Sequence, residues 1–591
     1  MCGFLFSNTI VDRSKFTSIA KTILRRGPDF QKYITRGNCS LYHSRLKIID
    51  TKTRSNQPFT DKYKKHYLLF NGEIYNFKFL KKEFKLKCKT SSDTEVLFLL
   101  LKKLGIKKTL KHIEGMFSFI FYNLKTNMIF GARDHFGQKP FYYSYKEKNL
   151  NCSTNIKPLM KLSGLNKFSQ NSLDFYLNSS GILPVDKTLY EDIFSLPAGQ
   201  YLKYNNNTKK LTINQYFHPS YLVNEKIYYS LKKKNFLEIK DELQTKLKDA
   251  VKKCLISDVP TGTTLSGGID SSLVTFFSKK INSNIKTFTG VSKGIEEIPN
   301  KVVPVIVNKL KIQKPEFIYH NPKKYIYKLY KIILHSYSPS RWGGGVPMSD
   351  ICKFARKKKV KVLLSGDGAD EICGGYKTFS DTNLNKKDSF HKIISIKKNI
   401  KNKLTNDYLN YLRINRLNIS KKLKFIKNKN EKKKQLLFLE DISIFLQTCT
   451  LPHSDEYSMY ESLELRNPFL DLDLVKFIIN LNSAYKSKTK QTNDNGKIIF
   501  KELAKFIFGE FINQKKEGTR NYALRISNLK YWNLSKFKVL KKFKINQNLM
   551  VDNKKLFKII NLEFLYNQIT NNKNFSISSI LSKKGYKYFY G

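Results

Sequence analysis

The chain has 591 residues, of which 41% are hydrophobic and 26% charged, and its formal net charge is +61. This length predicts at least two domains, and the hydrophobic content excludes wholesale disorder. No run approaches the roughly 18 apolar residues of a membrane span, and eight cysteines without a CxxC pair indicate neither a disulfide framework nor a zinc site.

The positive charge is spread along the whole chain. Lysines occur from Lys15 to Lys587, and runs such as Lys357–Lys359 and Lys432–Lys434 are typical of solvated helix faces. A nucleic-acid binder clusters its cations, so we expect no nucleic-acid and no membrane partner. The positive field should favour anionic substrates such as ATP, and the cysteine usage fits a reducing cytoplasm. A basic binding protein is the alternative, and steeply salt-dependent retention on DNA would reveal it.

Residues 2–205 alternate short β-rich runs with turn signals, which indicates an α+β domain. The predicted strands are Ser40–Tyr42, His66–Phe70, Phe117–Tyr122 and Met128–Ala132. The predicted helices are Phe16–Arg25 and Thr94–Leu104.

The pattern changes after a predicted connection at 206–235, which begins inside the polar, asparagine-rich stretch Tyr204–Asn214. Over 236–530, amphipathic helices alternate with short apolar strands, an order that predicts a parallel sheet covered by helices. Residues 531–591 form a Lys/Asn-rich extension with weaker patterning and no assigned chemistry. The predicted strands of the second domain are Gly262–Leu265, Thr287–Val291 and Val360–Leu364.

Cys2 is the first candidate for chemistry. A small second residue favours removal of the initiator methionine, which would leave an α-amine beside the Cys2 thiol. Such an amine titrates near pH 8 (about 7.7–8.0) and can serve as the general base for the thiol. Position alone would make Cys2 an incidental terminal residue, so its interpretation depends on further motifs.

Five further motifs follow Met-Cys-Gly along the chain. They are Arg26-Gly27-Pro28-Asp29, Arg45-Leu46-Lys47-Ile48-Ile49-Asp50, Asn71-Gly72-Glu73-Ile74-Tyr75-Asn76, Ser92-Asp93-Thr94-Glu95 and Gly131-Ala132-Arg133-Asp134. In this order they resemble the class-II glutamine amidotransferase domain. That resemblance implies a layered α/β/β/α N-terminal-nucleophile fold, with Cys2 as nucleophile. It also implies that glutamine is bound by Arg45, Ile49, Asn71, Gly72, Glu73 and Asp93.

These assignments agree with the chemistry of glutamine. Arg45 can pair bidentately with the glutamine carboxylate, while Asp93 and the Glu73 region can hold its ammonium group. The Asn71 side chain and the Gly72 backbone can donate to the oxyanion that forms when the thiol attacks the amide. Asn-Gly is also a strong hairpin-turn signal, and the two interpretations are compatible.

A serine- and glycine-rich loop, Ser266-Gly267-Gly268-Ile269-Asp270-Ser271-Ser272, follows a predicted strand and opens the predicted helix Leu273–Ile281. Glycines let the backbone wrap a phosphate, and a helix N-terminus offers free N–H groups to it. The loop lacks the Walker A lysine and resembles the pyrophosphate loop of enzymes that adenylate a substrate. ATP contacts are expected from Ser266, Gly267, Gly268, Asp270 and Ser271, with Asp270 also holding Mg²⁺.

A second loop, Ser365-Gly366-Asp367-Gly368-Ala369-Asp370-Glu371, resembles the SGEGxDE loop of asparagine synthetases. By that match Ser365 and Gly366 contact ATP, Asp367 is catalytic, and Asp370 joins Asp270 at Mg²⁺. Leu265 and Gly290 also match nucleotide-contacting positions. Two residues depart from the family: Asp367 stands where glutamate is common, and Gly290 where valine is common.

Two later segments extend the resemblance. Ser462–Asp471 resembles the family's SLExRxPFLD segment and is expected to be structural. Gly496–Lys501 matches its KxxLR helix, with Phe500 and Lys501 in place of leucine and arginine. Lys497 then becomes the cation that neutralises departing pyrophosphate, an assignment resting on its position after the PFLD segment and before Gln514-Lys515-Lys516.

The resemblance covers roughly residues 2–200 and 236–525, and it implies a glutamine-hydrolysing asparagine synthetase. The second domain would then be of the adenine nucleotide alpha-hydrolase type. Cys2 would form a γ-glutamyl thioester and release ammonia, which would travel to an acyl-adenylate and displace AMP. The expected partners are glutamine, ATP with Mg²⁺ and a carboxylate acceptor, and the sequence leaves a homodimer open.

The acceptor is the least determined part of this prediction. The segment Arg341–Met348 differs from its bacterial counterpart, and its three consecutive glycines indicate either backbone brought close to a ligand or a flexible turn. Aspartate is the expected acceptor, and a sugar acid of a surface polysaccharide is the alternative. A non-catalytic binding protein is a further alternative, disfavoured by the intact Cys2, Asn71-Gly72, Asp270 and Lys497.

Overall fold

The computed structural model describes residues 2–291, 298–341, 344–376, 403–487, 496–513, 526–545, 553–572 and 574–590. The strands are β1 (Gly3–Ser7), β2 (Phe30–Arg36), β3 (Cys39–Arg45), β4 (Phe59–Thr60), β5 (His66–Ile74), β6 (Gly115–Asn123), β7 (Met128–Arg133), β8 (Tyr142–Lys146), β9 (Asn149–Ser153), β10 (Ile193–Ser195), β11 (Gln200–Asn205), β12 (Lys210–Gln215), β13 (Thr261–Thr264), β14 (Lys286–Val291), β15 (Glu316–Tyr319), β16 (Val362–Leu364) and β17 (Glu464–Arg466). In the described residues they form two six-stranded sheets and one five-stranded sheet, in the orders β10-β8-β9-β1-β3-β2, β12-β11-β7-β6-β5-β4 and β15-β14-β13-β16-β17.

Helices accompany each sheet and dominate the second half of the chain. The α-helices are α1 (Arg13–Ala20), α2 (Phe77–Glu83), α3 (Asp93–His112), α4 (Ile156–Ser163), α5 (Gln170–Asn178), α6 (Glu225–Lys233), α7 (Phe236–Cys254), α8 (Ile269–Ile281), α9 (Ile298–Lys309), α10 (Tyr325–Ser336), α11 (Gly345–Lys357), α12 (Ala369–Ile372), α13 (Lys403–Lys422), α14 (Lys429–Glu440), α15 (Leu451–Tyr460), α16 (Leu472–Asn480), α17 (Ile498–Phe508), α18 (Lys538–Lys542), α19 (Asn553–Ile569) and α20 (Lys583–Tyr590). In the described part of the chain, none of the helices has the length and apolar content to cross a membrane.

The two antiparallel sheets stack face to face in the amino-terminal half. Because side chains alternate along a strand, Phe4 of β1 enters the cluster between the sheets with Leu69 of β5 and Ile120 of β6. The neighbouring Leu5 packs on the other side with Phe16 of α1, and α3 packs on β5 of the second sheet. The expected layered α/β/β/α arrangement is confirmed.

The five-stranded sheet is parallel throughout, as predicted. β13 pairs with β14 on one side and with β16 on the other, and β17 forms the far edge. Helix α8 packs on β13, while α9 and α11 pack on β14. Since parallel strands direct their carboxyl ends to one edge of a sheet, the loops that follow β13 and β16 meet there.

The segment Tyr204–Asn214 differs from its predicted role as a connection. Its first residues end β11 and its last residues form β12, which pairs with β11 from Gln200↔Gln215 to Asn205↔Lys210. The asparagine-rich part is the turn, where Asn205 Oδ1 accepts the N–H groups of two following residues. β12 is an exposed edge strand, which explains its polar composition. The predicted domain bounds themselves stay a prediction.

One helical segment also differs from expectation. The predicted helix Phe16–Arg25 is α-helical only to Ala20 and continues as a 3-10 helix over Lys21–Arg26. Within the carboxy-terminal extension, α19 is mostly buried and packs on α10. Lys558 of α19 donates to the carbonyls of Leu177 and Ser179, at the end of α5.

Candidate active site

Cys2 lies directly before β1 and is 7% exposed. Its backbone N–H donates to Asn71 Oδ1 at 2.9 Å, and Asn71 Nδ2 donates to Ser118 Oγ at 3.2 Å. Burial raises the pKa of the Cys2 thiol above its ordinary value. A buried thiol of this kind needs an adjacent base before it can act as a nucleophile.

Asn71 and Gly72 lie inside β5 and not at a turn, so the hairpin interpretation of Asn-Gly is wrong. Gly72 has φ +147°, and a Cβ at this position would lie 2.0 Å from the carbonyl oxygen of Met116. The strand pairing between β5 and β6 therefore requires glycine here. The signal that resembled a turn marks a close backbone approach beside Cys2.

Two buried acids lie next to Asn71-Gly72. Glu73 continues β5, and Asp93 begins α3 and accepts the N–H of Ile74 at 2.9 Å. Burial, followed by the charge of Asp93, raises the pKa of Glu73 well above its ordinary value; burial raises the pKa of Asp93 to about 6. Glu73 Oε2 is buried and makes no hydrogen bond to the described residues. The pair is suited to a cationic group.

Arg45 is already engaged by its own loop. Nη1 donates to the Lys52 carbonyl and to Asn56 Oδ1, and Nη2 donates to the carbonyls of Ile49 at 3.0 Å and Asp50 at 2.5 Å. Bidentate pairing with a glutamine carboxylate would require these donors to be released. The roles of Arg45 and Ile49 at glutamine stay a prediction, and the observed function of Arg45 is to fix the loop.

Sequence reasoning assigned no site role to two arginines that lie close to these residues. Arg26 Nε donates to the Cys2 carbonyl at 3.1 Å, and its terminal nitrogens donate to both oxygens of Asp455 at 2.7 and 3.2 Å. Arg466, from the segment expected to be structural, lies 3.3 Å from Glu73 Oε1. Both arginines lie in motifs, but their partners Asp455 and Glu73 are hundreds of residues away and carry no local signal.

The first glycine loop, Ser266–Ser272, joins β13 to α8. Gly267 has φ +80°, a conformation that favours glycine. Ser266 Oγ lies 3.0 Å from Ser271 Oγ, and the Ser272 hydroxyl donates to the Gly268 carbonyl at 2.7 Å. These bonds close the loop on itself, so Gly267 and Gly268 lead into the N-terminus of a 13-residue helix, where free N–H groups favour an anion.

The second loop, after β16, packs directly on the first. A Cβ on Gly366 would lie 2.8 Å from Asp270 Cβ and 3.1 Å from the Ser271 nitrogen. The Asp367 N–H donates to Ser365 Oγ at 3.1 Å, and Ser454 donates to Asp367 Oδ2 at 2.5 Å. The two loops thus form a single surface.

Lys497 connects the two loops. Its Nζ lies 2.7 Å from Asp270 Oδ2 and 2.9 Å from Asp370 Oδ1. Burial opposes its charge, but Asp270 and then Asp370 raise the pKa of Lys497 above its ordinary value. Asp270 Oδ1 is buried without a hydrogen bond to the described residues. Paired carboxylates with an unused oxygen fit Mg²⁺, which prefers one or two protein carboxylates together with phosphate oxygens.

Leu265 and Gly290 lie at the carboxyl ends of neighbouring strands. The Leu265 N–H donates to the Phe288 carbonyl, and Thr289 donates to the Leu265 carbonyl at 2.7 Å. A Cβ on Gly290 would lie 2.6 Å from His320 Nε2, so an imidazole occupies the space that a valine would need.

One of the three consecutive glycines near the expected acceptor site is explained by packing within the protein. Gly345 is the first residue of α11, and a Cβ there would lie 2.2 Å from the ring of Tyr457. Close packing on Tyr457 therefore requires this glycine without any ligand. Trp342 and Gly343 lie outside the described residues, as does Gln514-Lys515-Lys516.

Comparisons with known proteins cover both halves of the chain. A family model for a glutamine amidotransferase domain matches residues 1–217, and one for asparagine synthase matches residues 242–561. The asparagine synthetase [glutamine-hydrolyzing] 1 of Bacillus subtilis is 28% identical over 567 residues, which cover 88% of this chain and 86% of that protein. A putative asparagine synthetase of Methanocaldococcus jannaschii is 30% identical over 416 residues, covering 64% of this chain and 76% of that protein.

Proposed function

This chain belongs to the asparagine synthase family, and from that premise we propose that it is a glutamine-hydrolysing asparagine synthetase. It would transfer the amide nitrogen of glutamine to aspartate and convert ATP to AMP and pyrophosphate. One observation carries the proposal: Cys2 is hydrogen-bonded to Asn71 in the amino-terminal fold, while two glycine loops and Lys497 converge on Asp270 and Asp370 in the parallel-sheet fold.

The first reaction uses the Cys2 nitrogen as well as its thiol. Removal of the initiator methionine would turn this nitrogen, 2.9 Å from Asn71 Oδ1, into an α-amine. The amine accepts the thiol proton, and sulfur attacks the amide carbon of glutamine to give a γ-glutamyl thioester as ammonia leaves. Donors on Asn71 and Gly72 stabilise the oxyanion. Water then hydrolyses the thioester to glutamate and regenerates the thiol.

The second reaction takes place at the paired loops. An aspartate carboxylate oxygen attacks the α-phosphorus of ATP and pyrophosphate leaves; ammonia then attacks the acyl carbon and AMP leaves. The loop N–H groups bind the phosphates, Lys497 neutralises the pyrophosphate, and we assign to Asp367 the proton that ammonia loses. Mg²⁺, held by Asp270 and Asp370, would supply further neutralisation of the leaving group.

Aspartate is favoured over a sugar acid for two reasons. The relatives that match most of the chain are named as asparagine synthetases. In addition, the packing of Gly345 on Tyr457 removes part of the argument for an enlarged acceptor pocket. We therefore propose aspartate as the acceptor, and a homodimer as the assembly.

The experiment incubates the purified protein with glutamine and ATP-Mg²⁺, with aspartate or with a hexuronic acid in its place. We expect glutamate release, and AMP, pyrophosphate and asparagine in equal amounts only when aspartate is present. If pyrophosphate is released equally with and without aspartate, the assignment of aspartate as acceptor is contradicted. If release requires the hexuronic acid in place of aspartate, a sugar acid is the acceptor. If the protein releases no glutamate from glutamine, the proposed enzymatic activity is contradicted.

A further inference from the structure

Arg466 is the fully buried last residue of β17, at the edge of the parallel sheet. Its Nε donates to Glu464 Oε1 at 2.6 Å, and its Nη1 donates to the carbonyls of Cys254 and Ile256 at 2.8 and 2.6 Å. Its own carbonyl accepts the N–H of Ser365 at 2.9 Å, in the second glycine loop. These bonds fix both the backbone and the plane of the guanidinium.

The remaining nitrogen of Arg466 reaches out of the parallel-sheet fold. Nη2 lies 3.3 Å from Oε1 of Glu73, in β5 of the amino-terminal fold. This contact is an ion pair between two buried side chains, since Glu73 is 5% exposed. Ion pairs in a dry environment are strong only when the charges have well-placed partners, and Arg466 has a carboxylate on each side.

The two oxygens of Glu73 are therefore in different environments. Oε1 faces the guanidinium, whereas Oε2 is buried without a hydrogen bond to the described residues. A buried carboxylate oxygen that has no donor is costly to keep, which indicates that a ligand donor completes it. Asp93, next along the same surface, adds a second negative charge that Arg466 alone does not balance.

We propose that Arg466 is a positioning residue of the glutamine site: it holds Oε1 of Glu73 so that Oε2 receives the α-ammonium group of glutamine. The inference rests on the proposed function, in which Glu73 and Asp93 bind that ammonium. It adds that the amino-terminal fold does not complete its own glutamine site, because one of the site's charges comes from the synthetase half. A guanidinium suits this position, since it stays charged and its fixed fork serves several acceptors at once.

The test measures glutamate release against glutamine concentration in the full-length protein carrying Arg466→Gln or Arg466→Lys. For Arg466→Gln we expect the KM for glutamine to rise about ten- to a hundredfold, the effect of losing one nearby opposite charge. A single ammonium cannot serve Glu464, Glu73 and two carbonyls together, so Arg466→Lys should give a smaller rise. Pyrophosphate release with added ammonium salt, which bypasses the glutamine site, should stay within about twofold of wild type.

Two further variants make the test specific. Lys253→Gln removes another cation between the two halves, one paired with Glu114 and Asp471, and should leave the KM for glutamine unchanged. In a Glu73→Gln background, Arg466→Lys should have little further effect, because residues that act as a unit are not additive.

Three results would overturn the inference. The first is a KM for glutamine in Arg466→Lys that equals the wild-type value. This result contradicts the inference even if Arg466→Gln does not fold. The second is a parallel loss of glutamine- and ammonium-dependent activity, which would make Arg466 merely structural. The third is additive effects in the Glu73→Gln background. A wild-type protein that released no glutamate would instead contradict the proposed function, so the two failures are distinguishable.

Discussion

At the scale of single residues, Glu73 and Asp93 determine how the glutamine site responds to pH. Burial raises the pKa of Asp93 to about 6, and burial together with the charge of Asp93 raises the pKa of Glu73 well above its ordinary value. Protonation of Asp93 removes its negative charge, so glutamine binding should weaken as the pH falls through 6. A pH one unit below the pKa should weaken binding roughly tenfold.

The measurement is the Kd of glutamine for Cys2→Ala, which cannot turn glutamine over, by calorimetry at pH 5 and pH 7.5. The Asp93→Asn variant in the same background should bind weakly at both pH values. Equal affinity of the parent variant at the two pH values would show that these acids do not carry the ammonium site.

Lys497 gives a second prediction at this scale. Its ammonium group lies between Asp270 and Asp370. Lys497→Met removes this positive charge from between the two carboxylates. Breaking a buried pair costs about 3 kcal/mol or more, so the variant should unfold at a lower temperature than wild type. Added Mg²⁺ should raise its unfolding temperature more than that of wild type, because the metal replaces the lost charge.

The control for this prediction is Lys253→Met, which breaks an ion-pair cluster away from the glycine loops. It should lower the unfolding temperature without any specific response to Mg²⁺. If Mg²⁺ stabilised Lys497→Met and Lys253→Met equally, Asp270 and Asp370 would not be the metal ligands.

At the scale of elements, the contact between the two glycine loops leaves no room for an added side chain. A Cβ on Gly366 would lie 2.8 Å from Asp270 Cβ, so Gly366→Ala must displace one loop from the other. Overpacking of this kind costs about 1–3 kcal/mol, and ATP binding should weaken at least tenfold. Glutamate release from glutamine should be unchanged, because Gly366 lies in the other fold; loss of both activities would contradict two separable sites.

The elements that carry the site were largely predictable from sequence, because each loop motif follows an apolar strand and precedes a helix. That context predicts where the loops converge, and β13, β14 and β16 lie where it indicates. The hairpin of β11 and β12 was not predictable, since an exposed edge strand contains the same polar residues as a linker. Asn71-Gly72 was misinterpreted in part for a similar reason: glycine allows both a turn and a close strand contact.

The contacts between motifs were not predictable. Arg26 reaches Asp455, and Arg466 reaches Glu73. Periodicity and motif spacing report the local conformation around a residue, whereas these pairs depend on how two folds are packed together. The roles of the site residues toward glutamine, ATP and Mg²⁺ therefore stay predictions that the variants above can test.

At the scale of the whole molecule, the carboxy-terminal extension joins the two halves. Lys558 of α19 donates to the carbonyls of Leu177 and Ser179 at 2.6 and 2.8 Å, where helix carbonyls lack intrahelical partners and favour a cation. Asn561 of the same helix accepts the Ser340 N–H at 2.7 Å. The extension thus contacts both α5 and the segment that leads to α11.

Lys558→Met tests this contact while keeping most of the apolar stem. Hydrogen bonds to a charged group contribute about 1.5–3 kcal/mol each, so amide hydrogen exchange in the last turn of α5 should accelerate at least tenfold. Lys583→Met, an exposed lysine of the same extension, should leave exchange in α5 unchanged. Unaltered exchange in Lys558→Met would show that α5 is held by its apolar packing alone.

The central claim is that one chain releases nitrogen at Cys2 and uses it at the paired glycine loops. The most direct measurement supplies glutamine labelled with ¹⁵N in its amide, together with aspartate and ATP-Mg²⁺, and follows the label. We expect one labelled asparagine and one AMP for each glutamate formed. Cys2→Ala should make asparagine only from added ammonium salt, with glutamine use at least about a thousandfold lower. Asparagine without the label, or a Cys2→Ala variant that still transfers the label, would contradict the coupling of the two sites.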